Sequence, residues 1–174
     1  MRHARRITLA LGLASALALS ACADDEGNDA ADPGGSSPTE TTSPSAAVAE
    51  GEVTYAAVEY GFDGPQTLAA GETTITLVNE GQEPHEMVLF PVEEGRGPQD
   101  VLDYIAENPK LDGPPPDWVL GEGAGTFAKP GKTAKPVTAE LEPGSYLAVC
   151  FVSTKQSDGK PHASLGMIQE ITVE

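Results

Sequence analysis

The chain has 174 residues, of which 27 are acidic and 10 basic, giving a formal net charge of −17. A surface of that sign repels nucleic acid and anionic lipid head groups, and it favours basic partners or cations. A nucleic-acid-binding role is therefore not expected.

In chain order, the first feature is an export signal. Arg2, Arg5 and Arg6 precede an apolar run over residues 7–21 that ends in small residues before Cys22. The run is shorter than the roughly 20 residues that a membrane-spanning helix needs. Leu19-Ser20-Ala21-Cys22 resembles the bacterial lipoprotein cleavage box. That resemblance implies that residues 1–21 are a signal peptide and that Cys22 becomes the lipid-bearing first residue, since two or more acyl signals make anchoring stable. An ordinary secretory cut near Ala21 or Ala23 is the alternative. The expected location is extracytoplasmic, lipid-anchored to the bacterial cell membrane. Residues 22–50 are rich in Asp, Glu, Gly, Ser, Thr, Pro and Ala and contain no aromatic residue. Such a composition buries too little apolar surface to offset its ordering entropy and predicts a disordered linker.

Residues 51–174 are long enough for one domain with its own core. Strand signals dominate it. Residues 53–62 (VTYAAVEYGF) are β-branched and aromatic, residues 73–79 (TTITLVN) alternate, and residues 85–90 (HEMVLF) follow a short loop. The last two read as a hairpin or a strand-to-strand corner, with Asn79, Gly81 and Pro84 supplying the turn. Residues 99–107 (QDVLDYIAE) instead place Val101, Leu102, Ile105 and Ala106 at helical spacing, with Pro98 suited to the first turn and Asn108-Pro109 ending it. A Pro/Gly-rich connection follows, in which Gly121, Gly123 and Gly125 lack the helix and the Lys-Ser/Thr of a phosphate cradle. Trp118 and Tyr104 read as core or lid residues. Further strands are expected at 135–141, 145–152 and 167–173. Several short strands with punctuated turns indicate an all-β sandwich carrying one short helical insertion.

The chain has two cysteines, Cys22 and Cys150. If Cys22 is acylated, Cys150 has no internal partner in a compartment where thiols oxidise. Taken singly, Cys150 in its apolar strand fits a small buried hydrophobe, and Met167 fits the core. Together with His85 in VNEGQEPHEM, and with His162 and Met167 in CFVSTKQSDGKPHASLGM, Cys150 completes a thiolate, two imidazoles and a thioether. That donor set suits one mononuclear type 1 copper ion.

The motifs also resemble a family. Asn79-Glu80-Gly81-Gln82-Glu83-Pro84-His85, the strand Gly144-Ser145-Tyr146-Leu147-Ala148-Val149-Cys150, and Pro161-His162 with Met167 beyond it are similar, in that order, to the copper-ligand segments of cupredoxins. The resemblance implies a cupredoxin-like Greek-key β-sandwich. It also implies that His85, Cys150 and His162 are equatorial ligands and Met167 the long axial one, with one ligand segment from each half of the sandwich. Two departures stand out. Cys150 and His162 are separated by a long excursion, for which Asp158-Gly159 offers a turn, making 152–162 an expected extended hairpin. Glu86 occupies the place where the family commonly has an asparagine that braces the cysteine loop, so a carboxylate there implies altered bracing or a metal contact.

The expected function is electron transfer through one copper, with a redox partner or a copper donor or acceptor protein of basic surface as its counterpart. Copper capture and delivery, or a binding module without metal, are the alternatives. No enzyme is expected, because GxSxG, HExxH and CxxCH motifs are missing from the sequence and four protein ligands leave a single copper no open position.

Overall fold

The computed structural model describes residues 48–174. The expected signal peptide (1–21), the lipid-bearing Cys22 and the linker up to residue 47 lie outside the described residues. Among the described residues, nine strands form two sheets. They are β1 (Glu52–Val58), β2 (Gly61–Asp63), β3 (Thr67–Leu68), β4 (Gly71–Asn79), β5 (His85–Val92), β6 (Ala124–Ala128), β7 (Val137–Leu141), β8 (Gly144–Val149) and β9 (Ile168–Val173). The first sheet runs β2-β1-β4-β7 and the second β3-β9-β8-β5-β6. One helix, α1 (Pro98–Glu107), and a 3-10 turn, His162–Leu165, complete the elements.

Alternation along the strands builds the core between the sheets. Tyr55, Ala57, Ile75 and Leu77 from one sheet meet Met87, Leu89, Tyr146, Ala148 and Ile171 from the other, all buried. The five-stranded sheet is also covered on its outer face. There Phe90, Val92, Leu147 and Val149 pack against Val101 and Ile105 of α1. Burial on both faces explains why YLAV in β8 reads as a continuous apolar run rather than an alternating one. The helix forms where its spacing predicts. Pro98 opens it, the Asp100 carboxylate accepts the Gly97 N–H at 2.9 Å, and Asn108 closes it by donating its N–H to the Tyr104 carbonyl at 2.9 Å.

Several expectations are corrected. The segment 53–62 is not one strand but the antiparallel pair β1 and β2, with Val58 opposite Gly61. Of the two readings of the segments 73–79 and 85–90, hairpin or corner, the corner is the one that forms, because β4 and β5 belong to different sheets. β4 pairs instead with β1, in parallel, and with β7. The Gly-rich stretch after Trp118 enters a strand, β6, which pairs with β5 along Ala124–Ala128. Gly123 allows that approach, since a Cβ there would come within 3.1 Å of the Leu89 carbonyl oxygen.

Candidate metal centre

His85 begins β5 and Cys150 follows the last residue of β8. β5 and β8 are antiparallel neighbours with Leu89 opposite Ala148, so both residues leave the same end of the same sheet. Period-two alternation from Met87 and Leu89, and from Tyr146 and Ala148, turns both side chains to the inner face. The expectation of one ligand segment from each half of the sandwich is thus corrected: both segments lie in the five-stranded sheet.

His162 arrives by the long excursion. It does fold back, though as a tight loop closed by one bridge rather than an extended hairpin. Ser153 pairs with Pro161, the His162 N–H donates to the Val152 carbonyl at 2.8 Å, and the Ala163 N–H donates to the Cys150 carbonyl at 2.8 Å. Asp158 and Gly159 make the reversal with φ of 55° and 73°, a left-handed pair that Asp and Gly tolerate. Buried Ser157 pins the interior: its hydroxyl donates to the Lys160 carbonyl at 2.7 Å and accepts the Thr154 N–H at 2.9 Å.

The three side chains converge. His85 Nδ1 lies 3.1 Å from His162 Nδ1, which lies 3.5 Å from Cys150 Sγ, and the three donor atoms are all within 4.8 Å of one another. Each residue is 0% exposed. Ions bound at roughly 2.0 Å to nitrogen and 2.3 Å to sulfur hold two nitrogens no more than about 4.0 Å apart, and a nitrogen and a sulfur no more than about 4.3 Å apart. Both measured separations fall inside those limits.

The outer nitrogens strengthen the fit. His85 Nε2 lies 3.2 Å from Glu59 Oε1. His162 Nε2 lies 3.3 Å from Glu83 Oε2, yet off the line of a hydrogen bond, so it is a buried polar atom without a partner. A neutral imidazole carries one N–H. Without a cation one Nδ1 must donate to the other, and the donating ring then turns a bare Nε2 lone pair toward a carboxylate. With a cation among the Nδ1 atoms and the sulfur, both N–H protons would sit on Nε2, one donating to Glu59 and the other facing the Glu83 carboxylate at 3.3 Å. The buried His85–Cys150–His162 cluster therefore fits one type 1 copper ion by donor chemistry, separation and proton arrangement.

The titratable groups of the site shift with their burial and their neighbours. Burial pushes the Cys150 thiol up to about 11, with the Glu86 and Glu83 charges adding to the rise against backbone hydrogen bonds that lower it. Burial also lowers the His162 pKa, helped by the neighbouring His85, which keeps the ring neutral and its lone pair available. Glu83 is buried, which raises its pKa, but hydrogen bonds from Thr154 and Tyr60 outweigh that and hold it below the ordinary carboxylate range. Glu59 is likewise lowered against its own desolvation, by the backbone N–H groups of Glu83 and Gln82 and by His85.

Met167 is fully buried next to this cluster in the chain. Its N–H donates to the His162 carbonyl and its own carbonyl accepts the Cys150 N–H, both at 3.1 Å. Glu86 does not join the donor cluster. It accepts the Phe151 N–H at 3.0 Å and so braces the chain immediately after Cys150, while burial raises its pKa. Trp118 and Tyr104, with Gly121 and Gly123, line a groove of about 640 Å³ beside α1, on the other face of the sheet from the donors.

Sequence reasoning missed Glu59, Tyr60, Glu83 and Thr154. The Asn79 turn explains how Glu83 is placed. Its side-chain amide donates to the Glu83 carbonyl at 2.7 Å and to the Ala128 carbonyl at 3.0 Å, and its oxygen accepts the Gly81 N–H at 2.9 Å. Glu83 then meets Tyr60 at 2.7 Å and the Thr154 hydroxyl.

No protein-family model matches the chain, and no curated protein matches it at a significant level. Solved structures do match. Reduced auracyanin from the photosynthetic bacterium Roseiflexus castenholzii is 22% identical, covering 74% of this chain and 98% of its own, with a TM-score of 0.48. Auracyanin A from Chloroflexus aurantiacus, a blue copper protein, is 21% identical over 72% of this chain and 99% of its own, with a TM-score of 0.48. Rusticyanin from Thiobacillus ferrooxidans is 20% identical over 74% and 79%, with a TM-score of 0.44.

Proposed function

We propose that the chain is a copper-binding electron carrier, held at the outer surface of a bacterial cell membrane by lipid on Cys22. The observation that supports it most is the inward pairing of the two Nδ1 atoms beside Cys150 Sγ, with each Nε2 turned to a carboxylate. His85, Cys150 and His162 would hold the ion, and Met167 would offer a thioether sulfur as a fourth donor. Bound copper would supply a one-electron couple.

The residues of the chain account for the rest. Two donors leave one rigid sheet end and the third sits on a pinned loop, so the ligands rearrange little between oxidation states. Complete burial of the donors excludes water. It also favours electron transfer over capture and delivery, because handing an ion to another protein requires ligands that the acceptor can reach. The acidic surface suits a basic redox partner.

The test is copper loading of purified protein. An intense visible copper–thiolate band is expected, absent in Cys150→Ala. A colourless protein after loading overturns the reading, and tight Cu(I) binding without electron exchange would favour delivery instead.

A further inference from the structure

Resting on the copper reading, we infer that Glu59, which orients the His85 imidazole, and Glu83, which sets its charge against the His162 imidazole, bias the site toward Cu(II) and lower its reduction potential. Each ligand ring is backed by one carboxylate, at 3.2 Å for His85 and Glu59 and at 3.3 Å for His162 and Glu83. Each carboxylate is itself anchored. Tyr60 and Thr154 donate their hydroxyls to Glu83, and the backbone N–H groups of Gln82 and Glu83 both donate to Glu59 Oε1 at 2.7 Å. All four anchoring groups are donors, so both carboxylates are held as acceptors and as charges.

The network cross-ties three segments that carry or flank the site. Glu59 and Tyr60 sit between β1 and β2, Glu83 sits in the turn before β5, and Thr154 sits in the loop that returns His162. Glu59, within hydrogen-bond geometry of His85 Nε2, fixes that ring's tautomer and makes its other nitrogen a stronger donor, whereas Glu83, off the hydrogen-bond line of His162, acts through its charge. A fixed negative charge in a poorly solvated site also favours the ion of higher charge. Both effects act in one direction, toward Cu(II). Glu83 has the larger share, its side chain being 3% exposed against 29% for Glu59.

The experiment compares copper-loaded full-length wild type with Glu83→Gln, Glu59→Gln and, as a control, Glu94→Gln in the exposed turn after β5. The glutamines keep side-chain size and remove charge. All four proteins should keep the visible band. The reduction potential should rise in Glu83→Gln and less in Glu59→Gln, and Cu(II) affinity should fall roughly tenfold or more. A tenfold loss of preference for Cu(II) reads as about 59 mV in a one-electron couple. Wild-type potentials in both variants, or an equal rise in Glu94→Gln, overturn the inference while leaving the copper reading intact. Loss of colour in wild type overturns the copper reading, and this inference with it. Should Glu83→Gln fail to fold, the partly exposed Glu59→Gln decides the matter by its potential.

Discussion

Replacing Ser157 with alanine removes the pin of the loop that delivers His162. The hydroxyl makes two short bonds there, accepting the Thr154 N–H at 2.9 Å and donating to the Lys160 carbonyl at 2.7 Å. Lys160 is exposed and its carbonyl is free to take a water, whereas Thr154 is half-buried and its N–H is left without its partner. One orphaned group of that kind costs about 1–3 kcal/mol. Because the loop can open without unfolding the sheets, that cost falls on local opening, which should rise about 5- to 150-fold. The His162 and Ala163 amides report the opening directly, since they close the loop onto Val152 and Cys150. Their hydrogen exchange should accelerate by that factor, while β4 and β5 amides in the core change less. Copper affinity should fall only once the open loop is appreciably populated, since the apparent affinity scales with the closed fraction. Unchanged exchange at His162 and Ala163 in a folded Ser157→Ala protein would refute the reasoning.

Three further outcomes are expected. With the Cys150 thiol pushed up to about 11, copper loading near neutrality must displace its proton, so affinity should climb about tenfold per pH unit over pH 6 to 8; competition titrations giving a flat profile would contradict this. Gly81→Ala places a Cβ against the Glu59 carboxylate, which its bonds to Gln82 and Glu83 hold in place; the substitution should destabilise the protein, and a double-mutant cycle should show most of that cost vanishing in a Glu59→Ala background. Leu77→Ala, at a site 0% exposed, should cost about 2–5 kcal/mol in urea unfolding, and Leu120→Ala, at 62% exposure, no more than about 0.5 kcal/mol. Equal losses at the two leucines would count against the assigned core.

The donors were legible because their residue types are scarce: with two cysteines and three histidines in the chain, His85, Cys150 and His162 stand out. The sandwich and α1 followed from apolar periodicity and from Pro98 and Asn108. Pairing was harder to read. Asn79, Gly81 and Pro84 mark a turn, yet a turn does not say whether the next strand pairs with the last one or crosses to the other sheet. The break between β1 and β2 hides in an unbroken β-prone run, where only Gly61 hints at it. β6 is masked by the glycines at and before its start, of which Gly123 fits because the partner strand approaches closely. Glu59 and Glu83 were lost among 27 acidic residues. What distinguishes them is their position against two imidazoles, and that exists only once three loops have met.

The three donors also differ in when the chain can bring them together. Cys150 and His162 are 12 residues apart, whereas His85 and His162 are separated by 77. An unfolded chain thus already offers a two-point chelate within one flexible loop, and it gains the third donor only when β5 zips onto β8. Copper binding to the unfolded form subtracts from the stabilisation that the metal confers on the native one. Thermal shifts on loading should accordingly fall short of the native-state affinity.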